Sequence, residues 1–326
     1  MKYSIAIFIL LLSASNAFCE DTTFKSRHYT FSAGVGIMSG HTTYQIGGNY
    51  EVGGESGETR FPLSELEFPM DVYYGSLSGK VDFNKRLEVA LDLKKNITTN
   101  AGKMKDKDWG QAYEQIDWWT DPDSLDIYSM SDTQIDALVA DISARFYFNP
   151  WQFQTSELFF FLGGKYVYQK FDFTCSNLEQ WYPSSNDYFG FDIGRDYASG
   201  NVLTYEITKQ FPAVIAGTKF VTGPNLTLDV MLGYSPYVTL EDEDNHLLRT
   251  PVLVSKSECD GDAFLLSVTC DFSFSTRWSL GMRYDYTSTD TEGEEKQYLD
   301  GVYNATIEQK NFSDLHMCEM SISYRF

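Results

Sequence analysis

The feature that most constrains this chain is a two-residue hydropathy period that recurs from end to end. Leu87, Val89, Leu91 and Leu93 alternate with Glu88, Ala90, Asp92 and Lys94. Leu138, Ala140, Ile142, Ala144 and Phe146 alternate with Val139, Asp141, Ser143 and Arg145, and the segments beginning at Leu226 and Trp278 repeat the pattern. Successive side chains of a strand point to opposite faces, so each segment presents one apolar face and one polar face. Charges stand in mid-strand on the polar face, at Asp92, Asp141 and Arg145. A water-soluble sheet would turn that face outward over a dry core. A closed sheet in lipid inverts the order, with an apolar band outside and a polar lumen within.

Composition agrees with the second arrangement. Mean hydropathy is −0.30, and past the N-terminus no apolar run approaches the roughly 18 residues a membrane helix needs. Yet aromatics reach 16% of the chain, including 24 Phe and 22 Tyr, as aromatic girdles around a barrel require. A secreted β-sandwich shares the aromatic content but not the charged mid-strand face. The last strand sets Cys318, Met320, Ile322, Tyr324 and Phe326 against Glu319, Ser321, Ser323 and Arg325. Its terminal aromatic residue resembles the insertion signal of bacterial outer-membrane proteins.

Strand-like segments fall near 28–46, 58–82, 86–105, 132–148, 157–175, 201–220, 226–243, 251–273, 276–290 and 302–326. Short turns, such as Asn149-Pro150 and Gly223-Pro224-Asn225, alternate with long acidic connections at 47–60, 100–131, 176–200, 240–250 and 287–301. The fold expected is all-β: a transmembrane antiparallel β-barrel of about ten strands, forming one domain over 20–326. Ahead of it, Met1-Lys2, the apolar run Ile5–Leu12 and the small residues Ser13, Ala14, Ser15 and Ala17 have the layout of a secretory signal covering 1–19.

A net charge of −21 excludes nucleic acid as a partner and favours cationic ones. The cysteines show no metal-ligand spacing. Cys270 and Cys318 read as small apolar strand residues, and Cys175 and Cys259 are placed on loops, with a bridge between them left open.

Two clusters could carry chemistry. Lys105-Asp106-Lys107-Asp108-Trp109 ends the third strand, and Glu241-Asp242-Glu243-Asp244-Asn245-His246 ends the seventh, both on the long-loop side. Residues i and i+2 share a strand face, so Asp106 and Asp108 point one way together, as do Asp242, Asp244 and His246. Neighbouring carboxylates raise one another's proton affinity, and an Asp beside a His orients the ring and favours its charged form. Such a set can hold a water, take its proton and return one to a leaving amine. Solvated acidic loops and a calcium site at 241–244 fit the same spacing.

A family resemblance narrows the choice. Met38-Ser39-Gly40 with Thr42, Met104 followed by Asp106, Asp108 and Trp109, Trp119-Thr120-Asp121, Asp132-Thr133-Gln134, and Asp242 with Asp244 and His246 occur in the order seen in omptins. These are ten-stranded outer-membrane aspartyl-type endopeptidases of Gram-negative bacteria. The resemblance implies that Asp244 and His246 form a water-activating dyad, with Asp106 and Asp108 opposite. It implies no metal and no cofactor, and lipopolysaccharide as a possible activator. Asp242 matches an acidic specificity residue, whereas Tyr44 stands where the family has a second acid. Tyr166 and Lys170 match part of the lipopolysaccharide-binding wall, while Tyr168 and Thr208 replace charged residues there. The function expected is an endopeptidase of the outer membrane. Its site faces the exterior, and it cuts exposed, preferably cationic peptides with Asp242 and Tyr44 lining the pocket. The partners expected are those peptides or proteins and the surrounding lipid. The rival is a non-catalytic barrel acting as adhesin or receptor.

Overall fold

The computed structural model describes residues 27–83, 86–110, 123–185, 187, 190 and 192–326. The secretory segment 1–19 and the Trp119-Thr120-Asp121 motif lie outside the described residues. The strands in chain order are β1 (Arg27–Val52), β2 (Glu55–Glu58), β3 (Ser64–Pro69), β4 (Val72–Phe83), β5 (Leu87–Asn96), β6 (Asn100–Trp109) and β7 (Leu125–Tyr147). They continue as β8 (Trp151–Phe153), β9 (Ser156–Trp181), β10 (Arg195–Thr222), β11 (Leu226–His246), β12 (Leu253–Ser273), β13 (Trp278–Leu299) and β14 (Val302–Arg325).

These segments make ten staves of a closed antiparallel sheet. β3 and β4 are the upper and lower parts of one stave, both pairing with β1; β5 and β6 form the next, both pairing with β7. β1 closes the ring on β14, from Thr30 opposite Arg325 to Val52 opposite Ala305, and β7 passes directly to β9. Closure leaves the large strands without an edge, which lipid requires because nothing there can satisfy free backbone groups. β2 and β8 are short flaps on β1 and β9.

The alternation sorts outside from inside as the sequence predicts. Ile37, Leu77, Leu91, Leu162, Val214, Leu232, Met282 and Ile322 stand exposed on the outer wall. Aromatic side chains such as Phe148, Trp151, Phe274, Trp278 and Phe326 ring the short-turn end. Inside, opposite charges interlock: Lys94 with Asp285 at 3.2 Å, Arg283 with Asp285 at 2.8 Å and with Asp92 at 3.1 Å, and Lys165 with Asp141 at 3.1 Å. Lower down, Arg145 meets Asp229 at 3.1 Å and Glu88 at 3.6 Å. A ten-strand lumen is narrow enough for side chains to fill, and these do so, giving a plugged barrel rather than a channel.

Two expectations are corrected. The connections read as long loops are largely strand: β13 and β14 run up to a tight turn at Asp300–Gly301, and β6, β7, β9 and β10 extend well into 100–131 and 176–200. Above the apolar band both faces of a strand meet water, so the hydropathy period fades although the backbone pairing continues. Cys175 and Cys259 are both free and buried, on strands facing inward rather than on loops. Outward side chains of these upper strands are charged, including Lys103, Lys105 and Lys107 on β6 and Glu292, Glu294 and Lys296 on β13. The upper third of the barrel therefore stands clear of the membrane-spanning band.

Candidate active site

A single irregularity sets which way β11 points its acids. Between Ser235 and Val238 the pairing with β12 slips by one residue, a β-bulge over Pro236 and Tyr237. The Ser235 hydroxyl pins it, donating to the Tyr237 carbonyl at 3.1 Å and accepting from the Tyr237 amide at 3.2 Å. Below the bulge, odd-numbered residues such as Asp229 and Met231 face inward; above it, the even-numbered Leu240, Asp242 and Asp244 do. An extra residue in one strand reverses its face, and here that reversal brings the Asp-x-Asp-x-His series into the mouth.

On the opposite stave, Asp106 lies in register with Leu66 of β3 and Ser129 of β7, and Asp108 with Ser64. The lysines that alternate with them point out and are neutralised, Lys105 by Glu67 at 2.7 Å and Lys107 by Glu65 at 2.6 Å. Alternate side chains thus divide into an outer row of ion pairs and an inner row of carboxyls.

The structure brings the four candidates together. His246 Nε2 is 2.9 Å from Asp244 Oδ2, with Asp244 buried and the imidazole partly open. The Ser129 hydroxyl donates to Asp106 Oδ2 at 3.3 Å. Asp106 Oδ1 and Asp244 Oδ1 are buried without a hydrogen-bond partner among the described residues, so each retains capacity to accept one. Burial raises the pKa of Asp106 well above its ordinary value, and Asp108 reinforces it. Burial likewise raises Asp108, against the pull of Ser64, Arg249 and His246. Burial disfavours the charged imidazole, but the Asp244 charge and hydrogen bond outweigh it, and His246 is raised above its ordinary value. Asp106 and His246 each feel the other's charge across the mouth.

Below this group Asp242 is held from three sides, by Ser257 at 2.6 Å, Gln309 at 2.7 Å and Tyr205 at 3.0 Å. Burial pushes its pKa up to about 6. Tyr44 is buried in an aromatic stack with Phe68 and Tyr205, and its hydroxyl donates to Asp244 Oδ2. Gly40, in the Met-Ser-Gly segment just below, has φ 134°, and a Cβ there would lie 2.0 Å from the Asp314 carbonyl oxygen. Only glycine lets β1 approach β14 so closely at this level.

Sequence reading missed Glu295. It points inward from β13, is buried beside Asp242 and Asp244, accepts from Gln297 at 2.8 Å, and burial raises it to about 7. The signal was faint: Glu292-Gly293-Glu294-Glu295 reads as an acidic loop unless β13 is known to extend to Leu299. Tyr166 and Lys170 stand on the outer face of β9, far from the mouth's inner row. Tyr166 donates to Gln210 at 2.8 Å, and Lys170 is paired with Glu206 at 2.9 Å and Asp172 at 3.4 Å.

A closed ten-stave antiparallel barrel with an apolar outer band and a side-chain-filled lumen defines the class of outer-membrane β-barrel proteins, here with a group of carboxyls and an imidazole gathered in its mouth. Residues 25–326 match the Omptin family model, and the chain belongs to the omptin family, which makes it an outer-membrane protease. Among solved structures it is similar to the outer membrane protease OmpT from Escherichia coli, at 17% identity and TM-score 0.73, covering 94% of this chain and 99% of that one. The outer membrane protein OprG from Pseudomonas aeruginosa is a more distant likeness, at 12% identity and TM-score 0.40 over 93% and 97% of the two chains. No curated protein is matched by the sequence.

Proposed function

We propose that this protein is an endopeptidase of aspartyl type whose mouth opens to the cell exterior, following export directed by residues 1–19. The observation that carries the mechanism is the hydrogen-bonded Asp244–His246 pair facing the Asp106–Asp108 pair across the mouth. His246 takes a proton from a water as that water attacks the peptide carbonyl, and Asp244 holds the ring and stabilises the imidazolium. Asp106 binds the same water through its free oxygen, with Asp108 behind it, and the proton is returned to the leaving amine. The site's side chains are fixed by strand pairing and hydrogen bonds before substrate arrives, so little reorganisation opposes the step.

Asp242 supplies the acidic floor of the specificity pocket and the Tyr44 ring one of its walls, which favours a basic side chain at the cut. The excess of carboxyls over cations in the mouth draws cationic peptides toward it. Lipid contact at Tyr166 and Lys170 is a weaker element, since Lys170 already has two carboxylate partners. The test is turnover of a mixed peptide library by refolded protein, with and without lipopolysaccharide. Cleavage next to Arg or Lys, abolished in His246→Ala, supports the reading. A folded wild type that cuts nothing but still binds cells or matrix would identify an adhesin instead.

A further inference from the structure

We propose that Tyr44 is a positioning residue for the Asp244–His246 dyad: its hydroxyl shares Asp244 Oδ2 with the imidazole and so sets how strongly His246 holds a proton. The proposal rests on the peptidase reading for its kinetic consequence but not for its chemistry.

Three observations converge. The Tyr44 hydroxyl and His246 Nε2 both meet the same oxygen of Asp244, while Oδ1 has no partner among the described residues. The tyrosine has no freedom to leave. Its ring lies 5.2 Å from that of Tyr205 and 6.3 Å from that of Phe68, centroid to centroid, and the residue is 2% exposed. Finally, the hydroxyl donates under all working conditions, because burial, then the Asp244 and Glu295 charges, keep the phenol protonated.

The consequence follows from competition for one lone-pair region. A hydrogen bond to a carboxylate favours its charged form and draws electron density from any second donor. With Tyr44 bound, Asp244 attracts the imidazolium proton less strongly than a free carboxylate would. His246 is then easier to deprotonate and serves as a base at lower pH. Removing the hydroxyl should concentrate Asp244's charge on His246 and raise the imidazole pKa. Other titratable or charged groups face the pair from each side: Asp106 and Asp108 on β6, Cys175 on β9, Tyr205 on β10, Asp242 on β11, Glu295 on β13 and Arg249 beyond β11. All are kept in a Tyr44 variant, so the difference between proteins reports the one hydroxyl.

The experiment is an NMR titration of histidine-labelled protein in detergent micelles, where four histidines give few signals and His246→Asn assigns the one of interest. Tyr44→Phe keeps the ring and its packing. The His246 pKa should rise by roughly one pH unit, a tenfold gain in proton affinity. Phe173→Leu disturbs the neighbouring rings of Phe68 and Tyr205 and leaves both rings that pack on Tyr44 in the protein, so it should leave the titration in place. The acid limb of kcat/KM should move with the NMR value in Tyr44→Phe. An unmoved His246 titration in folded Tyr44→Phe overturns the assignment, as does an equal shift in Phe173→Leu. If wild type cleaves no peptide, the peptidase reading fails while the titration still decides the role of Tyr44.

Discussion

His246 Nε2 and Asp244 Oδ2 are 2.9 Å apart on the same face of one strand, with a single outward residue, Asn245, between them. Because they act as a unit, their losses should not add. His246→Ala removes the proton acceptor, a contribution of roughly 10²–10⁴ in rate for a general base. Asp244→Asn should cost nearly as much, and the double variant little more than the worse single one. Peptide turnover by the three variants, each confirmed folded by its gel mobility, checks this; additive losses would contradict a shared role.

The pH dependence has a definite sign. His246 works as a base only when neutral, and Asp244 raises its pKa above the ordinary value. Activity should therefore be full on the alkaline side and fall as pH drops through that raised pKa. A pH profile of kcat/KM on an uncharged peptide measures it, and a profile flat into the ordinary carboxylate range would count against His246 as the base.

Selectivity should respond to pH separately from catalysis. Asp242, raised to about 6 by burial, carries its charge above that pH and loses it below. The preference for Arg over an uncharged residue of similar length should shrink as pH falls through this range. Asp242→Asn should show the shrunken preference at every pH, measured as a ratio of kcat/KM values so that His246 protonation cancels.

The lumen predicts a stability effect remote from the site. Arg283 bonds both Asp92 and Asp285. Arg283→Met would leave those buried carboxylates with less than their full set of partners, a loss of roughly 3–5 kcal/mol for a broken buried pair. The folded, faster-migrating band of unboiled protein should convert to the unfolded band at lower temperature than in wild type. Unchanged conversion would mean Lys94 and Lys165 suffice to hold the network.

The ten staves were legible because lipid and lumen impose opposite polarity on alternate residues, as Leu91 and Asp92 or Met282 and Arg283 show. The upper strands were not, since above the membrane band that contrast disappears; Glu295 was lost to an acidic stretch that is strand. The i, i+2 spacing put Asp106 with Asp108 and Asp244 with His246 on shared strand faces, but it fitted a solvated loop or a calcium site equally well, and only the resemblance to omptins singled the four out. The bond from Tyr44 to Asp244 was not legible, because it joins strands 200 residues apart in sequence. Nor does the periodicity of β11 by itself give the orientation of its acids. Leu228, Val230, Leu232 and Tyr234 face lipid on even numbers, yet so numbered Asp242 and Asp244 face the mouth.

The kink pinned by Ser235 means that this protein keeps its chemistry indoors by counting. Pro236 and Tyr237 both point outward, so removing one of them would leave a regular strand with Ser235, Val238, Asp242 and Asp244 still facing inward. Ironing the bulge flat with both residues kept would instead turn the top of β11 by half a turn. Glu243 and Asn245 would then look into the mouth, and Asp244 and His246 would hang on the outer wall. The extra residue and the kink therefore have to come and go together. A related chain could lack both and still present the same acids, whereas one that kept the residue and lost the kink would present none of them.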